Sequence, residues 1–321
     1  MKRVVVACGG RSLERSISLH SGRRAGRALT ALGAEVKVVD VDAAFVRFVR
    51  EYEPDYVFIA MHGIGGEDGT VQDLLEILEV PYTGSDAIAS ALCLDKHLLK
   101  AVCVLEDVPT PPWHSFTREA FESYGAASAL PGIMRQFAGG VVVKPASQGS
   151  SLGISVVREE GGLREAILEA MNYDDRVLLE RYVDGRELAV TVMGPAASPR
   201  VLPVAELVYG DEIYSYTAHY EIGSAEVHAA DLEPEVEARV TEAAARAYTA
   251  AGCRDFARVD IVLDEDGPWV LEINTIPGLT ETGPAPLAAE MGGMSFVEFV
   301  SAICARVERR LPPDLRTRED A

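Results

Sequence analysis

Near the C-terminal end of this 321-residue chain, Arg258-Val259-Asp260 and Glu272-Ile273-Asn274 stand on two apolar, strand-like segments separated by Asp264-Glu265-Asp266-Gly267. Strand residues of one parity face one side, so Arg258 points with Asp260, and Glu272 with Asn274. If the turn folds the segments into a hairpin, Asp260, Glu272 and Asn274 converge. Two carboxylates and an amide oxygen are hard donors suited to Mg²⁺, with phosphate oxygens completing its shell. Arg258 beside such a centre would stabilise a developing negative charge. The plainer alternative is a solvated salt bridge. A second segment, Lys144-Pro145-Ala146-Ser147-Gln148-Gly149-Ser150-Ser151-Leu152-Gly153, links two strand-like runs. Its glycines and small residues let backbone N–H groups turn toward an anion, and Lys144 supplies a compact positive charge. It is not a GxxxxGK[ST] loop and no helix follows it. An ordinary hairpin loop would use the same residue types.

The composition narrows the partners. Thirty Lys+Arg against 50 Asp+Glu give a net charge of −20, which disfavours nucleic acid and anionic membrane surfaces. A hydrophobic fraction of 48% with 25% charged residues is ordinary globular composition. At roughly 100–200 residues per domain, two or three domains are expected. Only five of the basic residues are lysine: Lys2, Lys37, Lys96, Lys100 and Lys144. The plain reading is a GC-rich coding bias; in such a chain a retained lysine is a candidate for a place where arginine would not serve. The cysteines Cys8, Cys93, Cys103, Cys253 and Cys304 are scattered, without zinc spacing, and read as buried reduced thiols of a cytoplasmic protein. No run approaches the ~18–20 apolar residues of a membrane span. The N-terminal apolar run breaks at Gly9-Gly10 and is too short for a signal peptide.

These residues must be held by a frame. Val4 to Cys8, Ala34 to Asp40 and Tyr56 to Ala60 read as buried strands alternating with helices at Ser16 to Leu32 and Val71 to Glu79. That pattern predicts a parallel sheet covered by helices. A single helix is expected from Ser85 to about Leu105, with Ser85 as N-cap. Val108-Pro109-Thr110-Pro111-Pro112 excludes helix and central strand and marks a domain boundary. Beyond it, strands are expected at 141–144, 154–157, 177–180, 187–192, 200–208, 257–263 and 269–273, and a helix at 234–251. The polar tail from Leu311 reads as frayed.

Five stretches in this order, Gly9 to Ser18, Met61 to Thr70, Pro81 to Ser85, Lys144 to Gly153 and Leu271 to Thr280, resemble the D-alanine–D-alanine ligases of the ATP-grasp superfamily, across roughly residues 3 to 305. The resemblance implies an α/β ATP-grasp fold: an N-terminal parallel-sheet domain (1–100) and two α+β domains (101–182 and 183–321) that clamp ATP. It implies ATP-dependent joining of two D-amino acids through an acyl phosphate, in cell-wall biosynthesis. ATP and two Mg²⁺ ions are the implied cofactors, and a cytoplasmic homodimer the implied form. By the same resemblance Lys96 and Lys144 hold ATP phosphates. Glu180, Arg181 and Val183 lie in the connector that reads adenine, and Glu187 takes the ribose hydroxyls. Asp260, Glu272 and Asn274 hold Mg²⁺. Arg258 and the Gly278 N–H stabilise the oxyanion. Glu14 holds the first substrate's ammonium, with Ser150 and Tyr220 as its network partners, and His62 lies in the substrate pocket.

The chain departs from the family in three places. His219 stands where the mobile loop carries a lysine toward the γ-phosphate. Gly283 stands where a serine hydroxyl meets the acceptor's carboxylate, with Glu281 adding a negative charge nearby. Gln148 replaces a glutamate of the phosphate loop. The donor and nucleotide sites read as intact and the acceptor site as altered. That opens three readings: an acceptor other than D-alanine, such as another amine or a D-hydroxy acid; a peptide- or cyclic-amide-forming enzyme of secondary metabolism; or the ordinary activity, with Thr280 or Thr282 supplying the hydroxyl. A catalytically weak nucleotide sensor and a plain binding module are disfavoured, because neither requires the full set of lysines, metal ligands and arginine.

Overall fold

The computed structural model describes residues 1–137, 139–149, 151–209 and 225–310. In chain order the elements are β1 (Arg3–Cys8), α1 (Arg15–Ala31), β2 (Glu35–Asp40), α2 (Phe45–Tyr52), β3 (Tyr56–Ile59), α3 (Thr70–Ile77), α4 (Ala87–Leu94) and α5 (Lys96–Leu105). They continue with β4 (Trp113–Thr117), α6 (Arg118–Ser123), α7 (Leu130–Gln136), β5 (Val141–Pro145), β6 (Ser155–Val157), α8 (Glu160–Ala170) and β7 (Arg176–Arg181). The last group is β8 (Arg186–Gly194), β9 (Arg200–Val201), β10 (Ala205–Tyr209), β11 (Ala225–Ala229), α9 (Pro234–Ala250), β12 (Asp255–Leu263), β13 (Pro268–Asn274), α10 (Pro284–Met291) and α11 (Phe296–Arg310).

Three sheets result. The first is parallel, in the order β2-β1-β3. The run Val4 to Cys8 is buried along its whole length, as a strand covered on both faces must be. Helix α1 packs against it closely: a Cβ at Gly22 would lie 2.5 Å from Cys8 Cβ, so only glycine fits there. The second sheet is antiparallel, β4-β7-β5-β6. Its core of Val141, Val143, Val177 and Leu179 is covered by Leu163 and Ile167 of α8. The third runs β11-β10-β8-β12-β13, with β9 beside β8. Val240, Ala244, Ala247 and Tyr248 of α9 pack on it, and so do Cys93, Leu99 and Cys103 of α4 and α5. All five cysteines are buried free thiols.

Two expectations are corrected. The segment from Ser85 to Leu105 is two helices, because Asp95 leaves helical geometry (ψ 97°) and its carboxylate accepts from His97 N and Leu98 N. A short acidic side chain competes for backbone donors and starts a new helix instead of continuing the old one. Asp86, and not Ser85, caps the first helix by accepting from Ala89 N, while Ser85 Oγ accepts from Arg254 N. The run 200–208 is likewise two strands, separated around Pro203, which has no N–H for a ladder.

The expected hairpin is present. Arg258 pairs across from Asn274 and Asp260 from Glu272. A bulge follows at Asp260/Ile261, the kind of irregularity that re-aims side chains beside a site. Among the described residues, no single helix is long and apolar enough to cross a membrane.

Candidate active site

A cleft of about 120 Å³ lies between the second and third sheets. Lys144 and Glu180 line it from β5 and β7, Val183 from the connector, and Glu187, Asp260 and Glu272 from β8, β12 and β13. The Arg181 guanidinium lies over the Trp269 ring, 4.7 Å from its centroid, and the Arg181 N–H donates to Pro112 O. Burial raises Glu187 above the usual carboxylate range. Glu272 is pushed the other way. Burial opposes its ionisation, but Lys96 and Lys144 outweigh that and bring it to about 2. Lys96 Nζ is 3.1 Å from Glu272 Oε2 and donates to Gln148 O at 2.6 Å. One lysine therefore ties the phosphate loop to the carboxylate hairpin.

Asp260 is gripped by Arg258, with Nε donating to Oδ1 at 2.7 Å and a terminal nitrogen to Oδ2 at 2.8 Å. Asn274 Nδ2 adds a third bond at 2.9 Å. Burial nevertheless raises Asp260, and the adjacent Glu272 carboxylate adds to the shift. Two carboxylates forced together out of water call for a cation between them.

A second, smaller chamber of about 50 Å³ abuts the cleft. Glu14, His62 and Arg258 line it on one side, and Gly278, Thr280 and Thr282 on the other. Glu272 borders both cavities. A phosphate lying in the cleft and a small molecule in the chamber would therefore meet at this one carboxylate. Among the described residues no acceptor takes the Gly278 N–H, as an oxyanion donor requires.

The Glu14 carboxylate is held by shape. A Cβ at Gly63 would lie 2.3 Å from Glu14 Oε2, and one at Gly149 would lie 3.0 Å from it. Gly63 also has φ +68°, which favours glycine. Gly63→Ala is expected to lower stability by roughly 1–3 kcal/mol and to displace Glu14. The thermal midpoint and the KM for the donor check this together; a shift in one alone would count against the packing argument.

His62 is 3% exposed. Its Nδ1 is 2.7 Å from Ile276 O and so donates, which leaves Nε2 to accept from Ser21 Oγ at 2.8 Å. Ser21 Oγ in turn accepts from Leu279 N at 3.0 Å. Burial lowers the imidazole pKa, keeping the ring neutral. His62 and Ser21 thereby tie down both sides of Gly278. Glu67 adds a second brace, accepting from Gly63 N at 2.8 Å and Ile276 N at 2.9 Å. Burial raises its carboxyl to about 8, and Glu14 beside it contributes.

Glu281 does not line the chamber. Its carboxylate lies 2.7 Å from His20 Nε2 and 3.6 Å from Arg24 Nε, both on α1. Arg24 also donates to Leu279 O and Thr280 O. The negative charge expected at the acceptor wall is thus turned out to the α1 surface. Gly283 caps α10, and a Cβ there would come 2.8 Å from Gly278 O, so a serine would require this wall to shift. Ser150, His219 and Tyr220 lie outside the described residues. Ser21, Glu67 and Lys100 were missed by sequence reasoning. Lys100 had a signal as one of five lysines, and Glu67 as part of the Met61 to Thr70 stretch.

The D-ala D-ala ligase C-terminus family matches residues 103–305, and the N-terminus family matches residues 46–85. A D-alanine–D-alanine ligase of Desulforudis audaxviator is 41% identical over 312 residues, covering 97% of this chain and 100% of the relative. The chain belongs to the D-alanine–D-alanine ligase family. Members are ATP-dependent, ADP-forming ligases, and the fold is ATP-grasp. The Moorella thermoacetica ligase is 40% identical, covering 94% of this chain and 97% of its own. The Bacillus anthracis ligase solved with ATP superposes with a TM-score of 0.82 at 26% identity, covering 97% of this chain and 98% of that one. The Enterococcus faecalis VanG D-Ala:D-Ser ligase gives 0.81 at 26%, covering 95% and 99%.

Proposed function

We propose that this ligase joins D-alanine to a second D-amino acid, D-alanine itself, converting ATP to ADP and phosphate through a D-alanyl phosphate. The observation that carries the reading is Glu272 bordering both cavities, where a γ-phosphate and a donor carboxylate would meet. Lys96 and Lys144 screen the phosphates, and Val183 and the 180–182 backbone face the base. Glu187 takes the ribose. Glu14 holds the donor's ammonium against Gly63 and Gly149, leaving its carboxylate toward Arg258. Arg258 and the Gly278 N–H receive the charge of the tetrahedral intermediate. His62, Ser21 and Glu67 keep the Gly278 backbone from moving as that charge forms.

The donor set of Asp260, Glu272 and Asn274 fits Mg²⁺ on paired strands that crowd like charges, with the Asn274 amide, whose Nδ2 donates to Asp260 here, turned to offer its oxygen. Mg²⁺ bound there would supply charge neutralisation between ATP phosphates and the carboxylates. Ser150 and Tyr220 as partners of Glu14, and His219 over the γ-phosphate, complete the proposed site. A cytoplasmic homodimer with domains at 1–100, 101–182 and 183–321, serving cell-wall biosynthesis, goes with the same reading.

For the acceptor, Thr280 and Thr282 bring hydroxyls to the chamber wall while Glu281 is turned away. This favours an ordinary amino-acid acceptor over one selected by an acidic wall. Glu281→Gln is therefore expected to change the acceptor KM by less than about 3-fold. A larger change, or a switch toward diamine acceptors, would restore the acidic-wall reading. The function itself is tested by incubating the protein with Mg²⁺-ATP and D-alanine and identifying products by mass. D-alanyl-D-alanine forming with equal ADP supports it; ADP release that ignores D-alanine does not.

A further inference from the structure

One buried cation beside the nucleotide cleft has no part in the mechanism above. Lys100, on α5, is 1% exposed and is not among the residues that line the cleft. Its Nζ donates to Thr110 Oγ1 at 2.6 Å and to Glu180 Oε1 at 3.0 Å, and lies 5.7 Å from the Trp113 ring centre. The second oxygen of Glu180 forms an ion pair with Lys144 Nζ at 2.5 Å. One carboxylate thus sits between two ammonium groups. Lys144 lines the cleft, while Lys100 is sealed behind Glu180.

The charge balance decides what this arrangement does. A Glu180–Lys144 pair alone would be neutral and would offer phosphates no net attraction. With Lys100 protonated the three groups sum to +1, at the face where Lys144 borders the cleft. Burial pushes Lys100 down to about 8, with Glu180 and Lys144 acting in opposite directions and Cys103 nearby on its own helix. At neutral pH the charge is therefore retained. Glu180 is held below the ordinary carboxylate range: burial opposes this, but Lys100 and then Lys144 outweigh it. Lys96 is committed to Glu272, which lines the same cleft, and to Gln148 O. Three of the chain's five lysines therefore gather on two carboxylates, in a protein with 25 arginines.

We propose that Lys100 is a positioning residue for nucleotide binding: by neutralising Glu180 from behind, it frees the positive charge of Lys144 for the ATP phosphates. This rests on the reading of the cleft as the ATP site.

The test is a double-mutant cycle on the full chain, K100M, E180Q and K100M/E180Q. Each protein is titrated calorimetrically with Mg²⁺ and a non-hydrolysable ATP analogue, and its thermal midpoint is recorded. In the wild-type background K100M is expected to weaken binding by at least ~10-fold; in the E180Q background, where no carboxylate competes for Lys144, by less than ~3-fold. K100Q, which keeps hydrogen-bond donors without the charge, should behave as K100M does. Equal losses in both backgrounds would reduce Lys100 to a packing role and overturn the proposal. Loss in neither would overturn it as well. Failure of the wild-type protein to bind the analogue would overturn the nucleotide reading and this inference with it, whereas wild-type binding with no K100M effect overturns this inference alone.

Discussion

Arg258→Met is expected to lower kcat by about 10³-fold while the KM for ATP changes little. Two losses combine. The chamber loses the one guanidinium that lines it among the described residues, and with it the cation facing the tetrahedral oxyanion. Asp260 also loses both bonds from Arg258, leaving a buried carboxylate beside Glu272. Removing one partner of a buried, hydrogen-bonded pair leaves the other charge uncompensated, which is costly in itself. Arg258→Lys separates the two effects. Lysine restores charge toward the oxyanion but not the two-pronged grip on Asp260, so its kcat should recover more than its thermal midpoint. Equal recovery of both would make Arg258 a structural residue and no more.

Glu272→Gln is expected to be as damaging, lowering kcat by about 10³-fold and raising the Mg²⁺ concentration needed for half activity. The glutamine has the same shape, so packing is preserved and the loss reports on charge. Glu272 stands where cleft and chamber meet. It lies opposite Asp260 and, unlike Asp260, is held below the ordinary carboxylate range, with Lys96 and Lys144 outweighing its burial. Substituting it also leaves the Lys96 ammonium without its carboxylate. A modest loss of turnover with unchanged Mg²⁺ dependence would contradict the assignment of Glu272 as a metal ligand.

Much of this site was legible because strand parity is a strong constraint. Once 257–263 and 269–273 were read as a hairpin, Asp260, Glu272 and Asn274 had to share a face, and the observed register puts Asp260 directly across from Glu272. The alternation of buried strands and helices through residue 60 likewise gave the parallel sheet. What could not be read were features set by long-range geometry. The direction of Glu281 depends on His20 and Arg24, some 260 residues away in sequence. The roles of Ser21 and Glu67 exist only because α1 and the 63–67 turn are packed against the 276–279 loop. The break at Asp95 was missed for a local reason: the apolar periodicity of α4 and α5 runs on through the cap. Its consequence is functional, because the new helix begins at Lys96 and carries Lys96 to Glu272 and Lys100 to Glu180, two carboxylates that line the nucleotide cleft.

The central claim is that a D-alanine carboxylate oxygen attacks the γ-phosphorus of ATP before the amide forms. The most direct measurement uses D-alanine labelled with ¹⁸O in its carboxylate and follows the released phosphate by mass. In acyl-phosphate chemistry, the bridging carboxylate oxygen stays with phosphorus when the acceptor amine displaces phosphate. Each phosphate should therefore carry one ¹⁸O, and the dipeptide amide should retain the other oxygen of the donor carboxylate. Release of unlabelled phosphate alongside dipeptide would contradict this account.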